Sequence, residues 1–179
     1  SRKSNEISIE YASKSLRVSF NSYTSFLNSP NLKNATEMSI AANLAGKAIN
    51  ISKTTAPHAV SYPFTSLFNV SHGHAVALFF ERFFKFNYEN LNNSKTSFDL
   101  KKRFDLIFQL ADVQNINDFN SKITLIKKQA SLEDDLTKLN INIQKNLDKI
   151  LNGINLLRLG NNPVKIDDKD IHNIILKKE

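Results

Sequence analysis

The chain has 179 residues, 24 Lys and Arg against 17 Asp and Glu, and a net charge of +7 at pI near 9.5, yet its basic clusters (Lys101-Lys102-Arg103, Lys127-Lys128, Lys177-Lys178) are short and carry no interleaved aromatics. They read as solvated helix faces, so no nucleic-acid partner is expected. With no cysteine there is neither a disulfide framework nor a thiolate metal site, and with no apolar run near the roughly 20 residues that span a bilayer and no signal-peptide core, a cytoplasmic chain without a membrane partner is expected.

Apolar residues recur at steps of three and four throughout, and no run alternates as a strand does. The expected fold is all-α, a multi-helix bundle forming a single domain over residues 1–179. Ile9, Ala12, Leu16, Phe20, Tyr23 and Leu27 draw one stripe along a first helix that must end before Pro30. A second helix is predicted with Asn34 as its cap and Glu37 at the third position, running to about Ser52. Its Ala41, Ala42, Ala45, Gly46 and Ala48 make a small-residue surface on which another backbone could pack closely. Thr54 or Thr55 caps a third helix with Pro57 in its first turn, where the missing N–H costs nothing, and Pro63 should bend or end it. After a loop through Asn69, Ser71 caps a fourth helix made apolar nearly all round by Phe79, Phe80, Phe83, Phe84 and Phe86, hence central and buried. Amphipathic segments follow near 97–111 and 117–130, then a Leu/Ile-periodic stretch from Leu136 to Leu151. A last helix starts at about Asp168, with Asp167 as cap, Asp170 complementing the dipole and Ile166 as a staple against Ile171.

His58 lies in the first turn of the third helix and His72 at the start of the fourth, fourteen residues apart. Neutral imidazole is a common protein ligand for zinc and iron, so two imidazoles at successive helix starts suggest half of a metal site. Tyr62, four residues after His58, shares its helix face. His74 stands two residues from His72, roughly 200° around a helix, so the two do not face one ion from regular geometry, and His74 is assigned a supporting or substrate-side position.

The stretch Ala41-Ala42-Asn43-Leu44-Ala45-Gly46-Lys47-Ala48-Ile49-Asn50, the His58 segment, and His72-Gly73-His74-Ala75 followed by Leu78-Phe79-Phe80 and ending Phe86-Asn87 resemble the C-terminal helical domain of the iron-containing alcohol dehydrogenases. That superfamily includes glycerol dehydrogenase and dehydroquinate synthase. Asn161-Asn162-Pro163 is similar to the signature that closes many members. The resemblance implies His58 and His72 as ligands of a divalent metal, Fe2+ or Zn2+, and NAD or NADP carried on a nucleotide-binding domain absent from this chain. The Gly-rich turn of such a domain does not occur here. The family's other two ligands, an Asp and a His four residues later, would fall upstream of Ser1, and Ser1 is read as a truncation point inside a longer protein.

The implied activity is hydride transfer between a nicotinamide and a small alcohol or aldehyde, by a whole protein of which this piece alone would be inactive. Tyr62 stands where many relatives carry a further His, and is the candidate catalytic residue in the proton path. Lys53 stands where many relatives have glycine, and would favour an anionic substrate such as a phosphonate or phosphate aldehyde. The alternatives are a dehydroquinate-synthase-like lyase of the same superfamily and a non-catalytic helical binding or assembly module. A face left bare by the missing domain would expose apolar surface and promote homo-oligomers.

Overall fold

The computed structural model describes residues 1–176; the Lys177-Lys178 cluster lies outside them. Among the described residues the fold is all-α, with no strand and a lone antiparallel bridge between Ser94 and Val164. The helices are α1 (Glu6–Asn28), α2 (Leu32–Ser52), α3 (Ala56–Phe68), α4 (His72–Glu89), α5 (Leu100–Ala111), α6 (Ile116–Gln129), α7 (Ile143–Asn152), α8 (Leu156–Leu159) and α9 (Asp168–Leu176). They fall into two compact units: Ser1–Lys53 with Phe98–Ser131, and Thr54–Ser97 with the residues from Leu132 onward.

In the first unit α1 packs along α2, with α5 and α6 against α1. The six residues expected to form the buried stripe of α1 are only half-buried, and its fully buried positions are Ser8, Ser15 and Ser22. Facing them on α2 are Ala48, Ala41 and Asn34, again at intervals of seven. A repeat of seven keeps a seam in register along two helices, and small side chains let the backbones approach. Ser15 Oγ donates to the Ala41 carbonyl at 2.8 Å, and Ser22 Oγ to Glu37 Oε2 at 2.6 Å. The expected close partner of the small-residue surface is therefore α1 along the Ala41/Ala48 edge, whereas Ala42 and Gly46 are exposed. The cap of α2 lies one turn earlier than expected. Asn31 Oδ1 accepts the Asn34 amide at 3.1 Å and Asn34 Oδ1 returns the bond at 2.8 Å, so Asn34 is the reciprocal third residue of the box rather than its cap.

The second unit is built around α3 and α4. Ala56, Ala59, Val60 and Phe64 pack with Ala75, Leu78, Phe79 and Phe83, joined by Ile150 of α7 and Ile171, Ile174 and Ile175 of α9. Phe80, Phe84 and Phe86 are half-buried, so α4 is central without being sealed on every side. Pro57 sits in the first turn of α3 as expected. Of the two outcomes expected at Pro63, a bend or an end, α3 does not end there but continues to Phe68. The carbonyl that Pro63 leaves without its helical partner, that of Ala59, accepts the backbone amide of Asn155 at 3.2 Å. Gly153 lies against the proline ring, where an added Cβ would stand 2.8 Å from Pro63 Cβ. The Leu136–Leu151 stretch is also divided: Asn140 adopts a left-handed conformation (φ 58°), and Asn142 then caps α7 through the Lys145 amide. For α9 the expected start holds, with Asp167 and Asp170 exchanging side-chain-to-amide bonds of 2.8 and 3.1 Å.

Asn161-Asn162-Pro163 is more than a turn before α9. Asn162 and Asn87, both buried, face each other amide to amide, at 2.6 and 3.3 Å, while Asn162 Nδ2 also donates to the Val164 carbonyl and the Pro163 carbonyl accepts the Lys95 amide. Removing one member strands a buried amide. Asn162→Ala is expected to lower stability by about 2 kcal/mol in urea unfolding. The Asn87→Ala/Asn162→Ala double-mutant cycle should give a coupling of about 1 kcal/mol; strictly additive losses would contradict the pairing.

Candidate functional site

The link from Asn69 to Ser71 sets the site. Asn69 closes α3 in a left-handed conformation (φ 55°), and α4 begins with His72 beside Ser61, well back along α3. The imidazoles of His58 and His72 come to 5.6 Å between centroids, tilted by 59°. The Tyr62 ring lies 6.0 Å from that of His72, so His72 has contacts with both residues of the α3 face.

Ser61, fully buried, orients His72. Its single hydroxyl proton goes to the His58 carbonyl at 2.8 Å, so its oxygen is left to accept from His72 Nδ1 across a long 3.4 Å. That network assigns the proton of a neutral His72 to Nδ1 and leaves the lone pair on Nε2. Burial first, then the charges of His72 and Arg158, push the His58 pKa down to about 4. At neutral pH His58 is an uncharged donor.

Two imidazoles bound to one ion through bonds of about 2.1 Å place their ring centroids roughly 5 Å apart. The 5.6 Å separation and the neutral His58 suit such an ion. Among the described residues no third His, Asp or Glu completes a cluster with them, and two donors alone hold an ion weakly.

His74 is engaged elsewhere: its Nε2–H donates to the Glu133 carbonyl at 2.7 Å, tying the segment after α6 to α4. Lys53, in the first unit, ends α2 with a left-handed φ of 58° and donates from Nζ to the Asn50 carbonyl at 2.6 Å. Arg158 was not singled out in the sequence, yet its guanidinium lies 5.5 Å from the centre of the Tyr62 ring and its Nη1 donates to Thr54 Oγ1. Its only local signal is that it precedes Gly160-Asn161-Asn162-Pro163, and nothing there announces a contact with residue 62. Ser61 could have been found from its place three residues after His58. A groove of about 820 Å³ in this unit is lined by Arg82, Leu136, Ile141, Ile143 and Ile175, and neither His58 nor His72 is among its lining residues.

Comparison with solved structures finds the same fold in longer proteins. Sulfoacetaldehyde reductase from Bifidobacterium kashiwanohense, solved with NAD+, superposes with a TM-score of 0.82 at 22% identity, covering 99% of this chain and 46% of that one. A 1,3-propanediol oxidoreductase gives 0.81 at 18% identity, with 97% and 45% covered, and the alcohol dehydrogenase from Oenococcus oeni gives 0.75 at 20%, with 96% and 45% covered. The chain thus spans somewhat under half the length of these structures. Comparison with curated protein sequences gives no match. Residues 1–178 match the Fe-containing alcohol dehydrogenase family, C-terminal part, and the chain belongs to that family.

Proposed function

We propose that this chain is the C-terminal, metal-binding part of a metal-dependent, NAD(P)-dependent alcohol dehydrogenase or aldehyde reductase. The observation that carries this reading is the His58–His72 pair, two imidazoles in contact with His58 held neutral and Nε2 of His72 left free by Ser61. His58 and His72 would hold a divalent ion, Fe2+ or Zn2+, with the remaining ligands and the nicotinamide supplied by the part that precedes this chain in its longer relatives. When bound, such an ion supplies Lewis-acid polarisation of an alcohol or carbonyl oxygen. Ser61 keeps the His72 ring oriented, the arrangement by which outer hydrogen bonds fix a ligand's tautomer. Tyr62, 37% exposed and touching His72, has a phenolic oxygen that can hydrogen-bond the substrate or relay its proton. That the sulfonate-bearing aldehyde of one neighbour and the diol of another are small oxygen compounds supports a small alcohol or aldehyde as substrate.

Metal content and affinity of the whole protein test the ligand pair. Wild type should carry about one iron or zinc per chain, and His58→Ala or His72→Ala should each weaken binding about 100-fold or more and abolish nicotinamide-linked aldehyde reduction. Unchanged metal binding in both variants would make the histidines structural.

The depressed His58 pKa also ties folding to pH in the metal-free protein. An unfolded His58 takes up its proton near pH 6.5, the folded one only near 4, so stability is complete above about 6.5 and falls as pH drops toward 4. Because the ring is only half-buried, the loss is expected to be on the order of 1 kcal/mol. Chelator-treated His58→Gln should lack this component of the slope; an identical pH profile would refute its assignment to His58.

A further inference from the structure

Arg158 is half-buried, with one edge of its guanidinium bonded to the Thr54 hydroxyl and the group set over the Tyr62 ring. Thr54 is itself buried, and its carbonyl accepts Asn161 Nδ2 at 2.9 Å. The backbone under Arg158 is fixed too: Asn155 caps α8 through the Arg158 amide at 3.0 Å and is docked on the Ala59 carbonyl. No carboxylate lies within ion-pair distance of Arg158 among the described residues.

A guanidinium offers five N–H donors in a flat fork, and Thr54 uses one of them. A cation drawn partly out of water without a counter-ion is unfavourable by itself, and stacking on an aromatic ring offsets only part of that cost. The fork matches the paired oxygens of carboxylate, phosphonate and sulfonate groups. His72 lies beside both His58 and Tyr62, and the unpaired guanidinium of Arg158 lies over the Tyr62 ring and close enough to His58 for its charge to act on that imidazole, so Lewis-base donors and a cation share one cluster.

The geometry points to Arg158 as the group that binds the anionic tail of a short-chain aldehyde or alcohol whose oxygen end faces His58 and His72. This rests on the ligand role proposed above for the two histidines. Arg158 determines specificity, and the substrate class is an aldehyde or alcohol bearing a sulfonate, phosphonate or carboxylate close to the reacting carbon. Lys53, the residue from which an anionic substrate was expected, instead gives its ammonium to a helix-end carbonyl.

The test compares Arg158→Ala and Arg158→Lys with wild type in the whole protein, using sulfoacetaldehyde and the neutral propionaldehyde as substrates. Titrations with ethanesulfonate and ethylphosphonate read anion binding directly. Arg158→Ala should lose about 30-fold or more in kcat/KM on sulfoacetaldehyde beyond any loss on propionaldehyde, mostly through KM, and should weaken at least one of the two anions by a similar factor. Arg158→Lys, which keeps the charge without the fork, should recover part of both. Equal losses on the two aldehydes, or unchanged affinity for both anions, would overturn the inference. So would an effect confined to the KM of NADH or NADPH, which would assign the guanidinium to the cofactor's phosphates. If wild type reduces neither aldehyde yet binds the anions through Arg158, the anion site stands and the dehydrogenase reading falls.

Discussion

A proline in the interior of α3 organises the second unit. Pro63 brings no amide, which leaves the Ala59 carbonyl unbonded within its own helix at a cost of about 3 kcal/mol for an interior proline. The Asn155 amide fills that place at 3.2 Å, and Gly153, where a side chain would collide with the proline ring, lets the chain approach closely enough to do so. A local defect in one helix thereby becomes the docking point for the segment joining α7 to α8. Arg158 reaches the Tyr62 ring and Asn161 reaches Thr54 because Asn155 is held there.

The helical periodicity, the end of α1 before Pro30, the start of α3 at Pro57 and the reciprocal cap at Asp167 and Asp170 were all legible in the sequence, because each depends on neighbours within about four residues. Reading failed where distant partners decide. Ser8, Ser15 and Ser22 were hidden behind a more conspicuous apolar stripe, since close approach of two backbones selects for small size and each hydroxyl finds its own partner. Whether α3 would end or continue at Pro63 could not be decided locally, because the donor that takes up the freed carbonyl lies more than ninety residues away. Asn34 was taken for the cap because it fits that role by itself, whereas Asn31, one turn earlier, uses it as the returning partner.

The candidate site shows the same division. His58, His72 and Tyr62 could be assembled from spacing, and the structure does bring their rings into contact. Ser61 and Arg158 set the electrostatics around them, one by directing a tautomer and the other by placing a cation near an imidazole that burial already keeps uncharged. A positive surrounding favours an anionic ligand and any oxygen that gains negative charge during reaction. Lewis-base nitrogens and an uncompensated guanidinium in one cluster would hold two groups of a short molecule, which is how orientation contributes to rate.

Amide hydrogen exchange at Asn155, in wild type and in Pro63→Ala, addresses the docking of α8 on α3 most directly. If the Ala59 carbonyl holds it, the Asn155 amide should exchange at least about 100-fold more slowly than an open loop amide. Pro63→Ala supplies a competing amide to the same carbonyl, so that protection should fall while the rest of α3 stays protected. An Asn155 amide that exchanges freely in wild type, or protection indifferent to the substitution, would contradict the role given to Pro63.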